Sequence, residues 1–84
     1  MRLDFCRLDS AAGCRRIYAA AALPITGEVT ESSTAARQIH AVDSPTNFAA
    51  KIRNGRMMLY VFTTQEDKAD VLAFLESVGW YWGE

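Results

Sequence analysis

The chain has 84 residues, half of them hydrophobic and 23% charged, which is enough for one folded domain with a modest core and too little for two. Its formal net charge of −1 argues against a general nucleic-acid binder, because such proteins usually carry a strong positive charge. No apolar run approaches the roughly 20 residues that a membrane-spanning helix needs, and two cysteines are too few for a disulfide framework. We therefore expect a cytoplasmic single-domain protein, without a membrane segment or a cofactor.

The charge is unevenly distributed along the chain. Residues 1–56 carry eight basic and five acidic side chains, a net charge of +3, whereas residues 57–84 carry one basic and five acidic side chains, a net charge of −4. A bipolar chain of this kind can dock on a charged partner by one end.

The first part of the chain predicts a strand followed by a helix. Arg2 to Leu8 alternates loosely between apolar and polar residues, which is typical of a strand. Asp9-Ser10 can cap a helix, and the alanine-rich segment that follows favours a helix to about Ala22. A hairpin that turns between Asp9 and Gly13 is the alternative. The apolar stripe of the helix would consist of Cys14, Ile17, Tyr18 and Ala21.

The stretch Leu-Pro-Ile-Thr-Gly, from Leu23 to Gly27, resembles the L-P-x-T-G signal that sortases cleave. A sortase substrate carries this signal near its C-terminus, before a hydrophobic span and a basic tail, whereas here most of the chain follows it. We interpret it as the exit from the helix, because Pro24 stops a helix and Gly27 permits a turn. Residues 24–34 then predict a loop or an edge strand.

The middle of the chain predicts a short strand and a second helix. Arg37 to Val42 fits either a strand or a helix, and we favour a short strand because Asp-Ser-Pro must end it. Ser44-Pro45 has the pattern of a helix N-cap with proline at the first helical position. Phe48 and Ile52 are one helical turn apart. Asn54-Gly55 can end the helix, because glycine readily takes the left-handed backbone conformation that follows many helices. The segment therefore predicts a helix.

The last part of the chain predicts a strand, a helix and an edge strand, the last formed by Trp80-Tyr81-Trp82. Met57 to Thr63 is an apolar run typical of a central strand covered on both faces. Thr64 can cap the helix that Gly79 ends, with Asp67 completing a capping box. The buried stripe of this helix would be Val71, Leu72, Leu75 and Val78, and its outer face Glu66, Asp70, Ala73, Glu76 and Ser77.

These elements predict one α+β domain over residues 1–84, in the order β-α-β-β-α-β-α-β. A sheet of about four strands with two to three helices packed on it would bury the apolar stripes. A ferredoxin-like arrangement is the topology that we expect.

Catalytic chemistry is not indicated. His40 is the single histidine. It could pair with either cysteine, but the sequence indicates no third residue that would orient the imidazole for catalysis. Arg15 and Arg16 after Cys14 would lower the pKa of its thiol, but its place on the apolar stripe favours a buried hydrophobic role. One histidine and two cysteines give no zinc motif, and the scattered glycines give no phosphate-binding loop. We predict that the protein is not an enzyme and holds no metal.

Three features suit binding, although a solvated surface is the alternative for the charged ones. The Trp80-Tyr81-Trp82 run cannot enter one core entirely, and tryptophan and tyrosine are favoured interface anchors, in a homodimer or in a complex with another protein. The outer face of the last helix could bind a basic partner, and a basic patch could bind phosphate or an acidic protein. The acidic face presents Glu66, Asp70 and Glu76, and the basic patch would consist of Arg15, Arg16, Lys51, Arg53 and Arg56.

A small α/β chain without catalytic residues and with an acidic helix is similar in profile to the small inhibitors that phages and mobile elements encode, of which anti-CRISPR proteins are the best known. These inhibitors share no sequence signature, so the likeness assigns no site residue. It implies a protein that binds a larger protein or ribonucleoprotein complex and blocks its nucleic-acid or subunit site by steric occlusion or charge mimicry. The alternative is a small nucleic-acid-binding regulator that uses the basic patch.

Overall fold

A five-stranded antiparallel sheet with one helix on each face accounts for residues 1–34 and 36–80, which are the residues that the computed structural model describes. The strand order is β1-β5-β4-β3-β2, so β1 and β2 are the two edges. This architecture confirms the predicted α+β class. The elements in chain order are β1 (Arg2–Arg7), α1 (Ala11–Ala20), β2 (Glu28–Ser33), β3 (Arg37–Asp43), β4 (Asn47–Asn54), β5 (Met57–Thr64) and α2 (Lys68–Ser77).

The two helices lie on opposite faces of the sheet, because successive side chains of a strand alternate between its faces. Leu59 of β5 belongs to the main core under α2, whereas its neighbour Met58 packs against α1. We call these the α2 face and the α1 face. The main core on the α2 face consists of Ile39, Ala41, Phe48, Ala50, Ile52, Leu59, Val61, Val71 and Leu75.

Helix α1 forms where the sequence predicted it, and the alternative hairpin is wrong. The Ser10 hydroxyl caps the helix by accepting the N–H of Gly13 at 3.0 Å. Cys14 and Tyr18 are buried on the α1 face, whereas Ile17, which we expected in the same stripe, is 47% exposed. The helix is therefore anchored by a narrower stripe than the sequence predicted.

The helix predicted after Ser44 is wrong, because the segment forms β4. Phe48, Ala50 and Ile52 all enter the main core under α2, which is the two-residue period of a strand. Phe48 and Ile52 alone are four residues apart, so they satisfy the helical period equally well. Their alternate neighbours Lys51 and Arg53 are buried on the other face of the sheet.

The turn signals on both sides of β4 do form turns, but these turns connect neighbouring strands and do not begin or end a helix. The Ser44 hydroxyl accepts the N–H of Asn47 at 2.9 Å, which is the hydrogen bond that a serine N-cap makes, and the chain then turns into β4. Gly55 has a φ of 65° in the two-residue turn between β4 and β5. The two loop residues are Gly55 and Arg56, and a glycine at the first loop position is typical of a tight hairpin turn.

The ferredoxin-like topology is also wrong. That fold places a second helix between its third and fourth strands. In this chain β2, β3, β4 and β5 follow one another as an antiparallel meander, and β1 returns to pair with β5. The sheet has five strands and two helices, which roughly agrees with the predicted sheet of about four strands and two to three helices.

Helix α2 ends near Gly79 as predicted, but its start differs from the prediction: it begins at Lys68, so that its N-cap is Asp67 and not Thr64, and the Asp67 side chain makes no capping hydrogen bond. Val78, which we expected in the buried stripe, is 53% exposed. The Thr64 hydroxyl accepts the N–H of Asp67 at 3.2 Å, and Gly79 ends the helical turn with a φ of 80°. Trp80 packs against the main core and is not in a strand. Tyr81 and Trp82, which we predicted to continue an edge strand, lie outside the described residues.

Gly27 has a role other than the turn that we predicted for it. Its φ is not positive, and a Cβ at this position would collide with the backbone carbonyl oxygen of Asp43. Glycine is therefore needed for close approach of two backbones beside the start of β2.

Within the described ranges, no helix combines the length and the apolar character needed to cross a membrane.

Candidate docking surface

An open apolar groove lies between α2 and the edge strand β1 on the α2 face. It has a volume of about 420 Å³. The groove is lined by Met1, Leu3, Asp67, Asp70, Val71 and Phe74.

The groove exists because α2 packs over the interior of the sheet and leaves β1 uncovered. Leu3 and Phe5 lie on the same face of β1, two residues apart, and both point toward α2. Phe5 and Phe74 are each 55% exposed, and Met1 is 78% exposed. Large side chains so exposed on one face form an apolar patch of the kind that marks interaction sites.

Two carboxylates border this apolar surface. Asp67 and Asp70 line the groove with Phe74, one turn apart on the side of α2 that faces β1. Because their side chains are exposed to water, they stay solvated while the floor between them is apolar. The groove therefore suits an apolar side chain accompanied by a positive charge.

The acidic face that we predicted on α2 divides into separate parts. Glu66 lies in the turn before the helix, and Asp70 lies at the groove. Glu76 is six residues after Asp70, which places it about 120° around the helix axis and away from the groove. All three side chains are exposed, but Asp70 alone among them lines the groove.

Aromatic residues extend the apolar surface along β1. The rings of Phe5 and Trp80 meet edge to face with their centroids 5.7 Å apart. Arg37 holds the segment before Trp80 in place, since its Nη2 donates to the carbonyl oxygen of Gly79 at 3.1 Å. Trp80 therefore has the core contact that we predicted for one side of the aromatic run, and it borders the exposed surface of Phe5.

Two residues of the predicted basic patch, Lys51 and Arg53, are buried on the α1 face and are not part of an exposed surface. Lys51 is 9% exposed, and its Nζ donates to the carbonyl oxygens of Tyr18 at 2.8 Å and Ala21 at 2.9 Å. Arg53 is 1% exposed and donates to Gln38 at 2.6 Å and to the carbonyl oxygen of Gly55 at 2.7 Å. Both residues are internal because β4 is a buried strand and not a surface helix. Of the predicted patch, Arg15, Arg16 and Arg56 are exposed.

His40 is held by a carboxylate. Its Nδ1 lies 2.6 Å from Oε2 of Glu31, its cross-strand partner on β2. Cys6 lies on β1, which β5 and β4 separate from His40 on β3, and Cys14 packs against Tyr18 and Met58 on the α1 face. The strand order therefore keeps Cys6 apart from His40.

The thiol of Cys14 is buried rather than activated. Burial raises its pKa, although the charge of Arg53 acts in the opposite direction. The neighbouring residues Arg15 and Arg16 point away into solvent. In the part of the chain that the structure describes, no group of three histidine, cysteine, aspartate or glutamate side chains could hold a metal ion.

A smaller groove of mixed polar and apolar lining, with a volume of about 260 Å³, lies on the other side of the molecule, between α1 and β2. Its lining combines hydroxyl, amide and carboxylate groups with the apolar surfaces of Tyr18 and Ile39. It is lined by Tyr18, Glu31, Ser32, Ser33, Gln38 and Ile39.

Asp70 is the one lining residue of the groove that we predicted as a binding residue; the others were not predicted as such and are Met1, Leu3, Asp67, Val71 and Phe74. Asp67, Asp70 and Phe74 recur at helical spacing beside the buried stripe of α2, and this pattern was visible in the sequence. Their pairing with β1 was not visible, because it depends on which edge of the sheet α2 leaves open.

Comparisons with protein-family models, with curated proteins and with solved structures found no match to this chain.

Proposed function

We propose that the protein is a non-enzymatic inhibitor that binds a larger protein through the groove between α2 and β1. The observation that carries this proposal is the open groove itself, with its apolar lining and its two bordering carboxylates. Binding of this kind requires no group that makes or breaks a covalent bond.

The groove defines the chemistry of the partner. Burying an apolar side chain against Leu3, Val71 and Phe74 removes apolar surface of both proteins from water, which favours association. Asp67 and Asp70 would be left near a low-dielectric contact, where an arginine or lysine of the partner compensates them. The expected contact is therefore an apolar anchor flanked by positive charge, as on many surfaces that bind nucleic acid.

A partner of this kind explains how binding would inhibit. The chain from residue 57 onward carries a net charge of −4, so it is attracted to a surface that normally binds a phosphate backbone. Once docked, the rigid sheet would occupy space that the nucleic acid or another subunit needs. This is the stoichiometric mechanism implied by the likeness to anti-CRISPR-type inhibitors.

Site-specific photo-crosslinking in the cells that produce the protein tests the proposal. A photo-reactive amino acid is placed at Phe74 in the groove or, as the control, at Val29, which is exposed on the opposite edge strand β2. We expect one discrete protein adduct from position 74 and none from position 29. An adduct from position 29 alone, or the same adducts from both positions, would contradict docking at the groove.

The nucleic-acid-binding alternative has its own measurement. Phosphate contacts impose a steep salt dependence, so the chain is titrated against DNA and RNA at a low and a high salt concentration. Tight binding that weakens steeply with salt would replace the inhibitor proposal with a regulator that uses Arg15, Arg16 and Arg56.

A further inference from the structure

The outer edge of β1 is available for pairing. Among the described residues, β1 pairs with β5 on one side and has no neighbouring strand on the other. An uncovered edge strand presents backbone N–H and C=O groups that can pair with another strand. We propose that two copies of this chain associate through their β1 strands, in antiparallel register centred on Leu3.

Symmetry restricts the registers that two β1 strands can adopt. A two-fold axis perpendicular to the sheet relates antiparallel edge strands, so residues of one face oppose residues of the same face in the second copy. The two-fold axis therefore passes beside a single residue of β1, and the possible central residues inside the strand are Arg2, Leu3, Asp4, Phe5 and Cys6.

Charge complementarity selects the register centred on Leu3. A centre on Arg2 opposes two arginines, and a centre on Asp4 opposes two aspartates, both of which are repulsive. A centre on Phe5 places Asp4 opposite Cys6 of the second copy, and a centre on Cys6 places Asp4 opposite Leu8, so that neither forms an opposite-charge pair. With Leu3 at the centre, Arg2 of each copy opposes Asp4 of the other.

The ion pair already present within β1 fits into this arrangement. Nε of Arg2 lies 2.7 Å from Oδ2 of Asp4 in the same strand, and both side chains are exposed. Pairing two such strands about Leu3 places the four charges at the corners of a square with alternating signs. Each charge then has opposite charges as its nearest neighbours along the strand and across it.

The other face of the same register is apolar. There Leu3 opposes its symmetry mate and Met1 opposes Phe5, so the two most exposed apolar side chains of the strand region cover each other. The two grooves then lie side by side, floored by both β1 strands and walled by one α2 helix from each copy. The association does not depend on the proposed function, since it needs no partner protein.

Sedimentation velocity on the whole chain tests the association, with any tag at its C-terminal end so that β1 is unchanged. We expect the chain to be dimeric in the micromolar range. Arg2→Asp and Asp4→Arg should each weaken the dimer at least tenfold, because each places like charges opposite one another. Arg7→Asp is the matched control: it makes the same chemical change on the same strand, outside the paired residues, and should leave the dimer intact.

Mixing the two variants gives the decisive comparison. Arg2→Asp and Asp4→Arg are complementary in the register centred on Leu3, so an equimolar mixture should form a heterodimer, detected by mass in native mass spectrometry. Circular dichroism confirms that each variant is folded. The proposal is overturned by a wild-type chain that stays monomeric at high concentration, by Arg7→Asp acting as strongly as Arg2→Asp, or by a mixture that stays monomeric.

Discussion

Asp43 joins the end of β3 to the start of α2. Its Oδ1 lies 2.6 Å from Nζ of Lys68 and accepts a hydrogen bond from Nε2 of Gln65 at 2.8 Å. Burial acts to raise the pKa of this carboxyl, but the two hydrogen bonds and the charge of Lys68 outweigh it, so the pKa is lowered. The ionised carboxylate is therefore the form that the folded state favours.

This lowered pKa predicts a pH dependence of stability. A carboxyl whose pKa is lower in the folded than in the unfolded state stabilises the fold above the unfolded value of about 3.9, and this contribution is lost as the pH falls through the folded value. We expect Asp43→Asn to be less stable than the wild type near neutral pH, and the difference to shrink as the pH falls below about 4. Urea denaturation of both proteins over this range measures it. A difference that stays constant with pH would contradict the assignment to Asp43.

At the scale of elements, the end of α1 is stabilised from the sheet. The last turn of the helix has no basic residue of its own, and Lys51 of β4 supplies the charge by donating to the carbonyl oxygens of Tyr18 and Ala21. Nζ also lies 4.7 Å from the centre of the Tyr18 ring. A cation at this end of a helix is favourable because the helix dipole is negative there.

Two matched substitutions test how much this contact contributes to stability. Lys51→Met keeps the buried apolar stem and removes the ammonium group, which leaves two carbonyl groups without their donor. We expect it to lower the free energy of unfolding by about 1–3 kcal/mol. Arg16→Met removes a cation from the exposed face of α1 and should change stability by about 0.5 kcal/mol or less. Equal effects in chemical denaturation would show that Lys51 does not secure α1.

Most elements could be predicted from the sequence, and β4 shows why one could not. Its apolar residues Phe48 and Ile52 suit a helix, and its flanking Ser-Pro and Asn-Gly signals suit helix ends and hairpins alike. What decides is the neighbouring strands: β3 and β5 each present a free edge to this segment, and as a strand it fills the gap between them. Local patterns do not contain that information, and the misassignment also placed Lys51 and Arg53 on the surface.

At the scale of the whole molecule, the docking surface was only partly predictable. Asp70 and Trp80 were expected to contact a partner, and the structure places both beside β1. Phe5 and Phe74 were not expected, because their exposure results from α2 covering the interior strands and leaving an edge strand open. Such an arrangement depends on the register and order of strands that are distant in sequence.

The central claim is that the partner binds in the groove itself and is not merely attracted by the overall negative charge of this part of the chain. Asp70→Lys and Glu76→Lys reverse a charge on the same helix by the same amount, but only Asp70 lines the groove. The measurement is the dissociation constant of each variant for the protein crosslinked at position 74. We predict that Asp70→Lys weakens binding by about tenfold or more, and that Glu76→Lys weakens it by about twofold or less. Equal losses in the two variants would contradict the claim, because they would mean that overall charge, and not the groove, brings the partner to this protein.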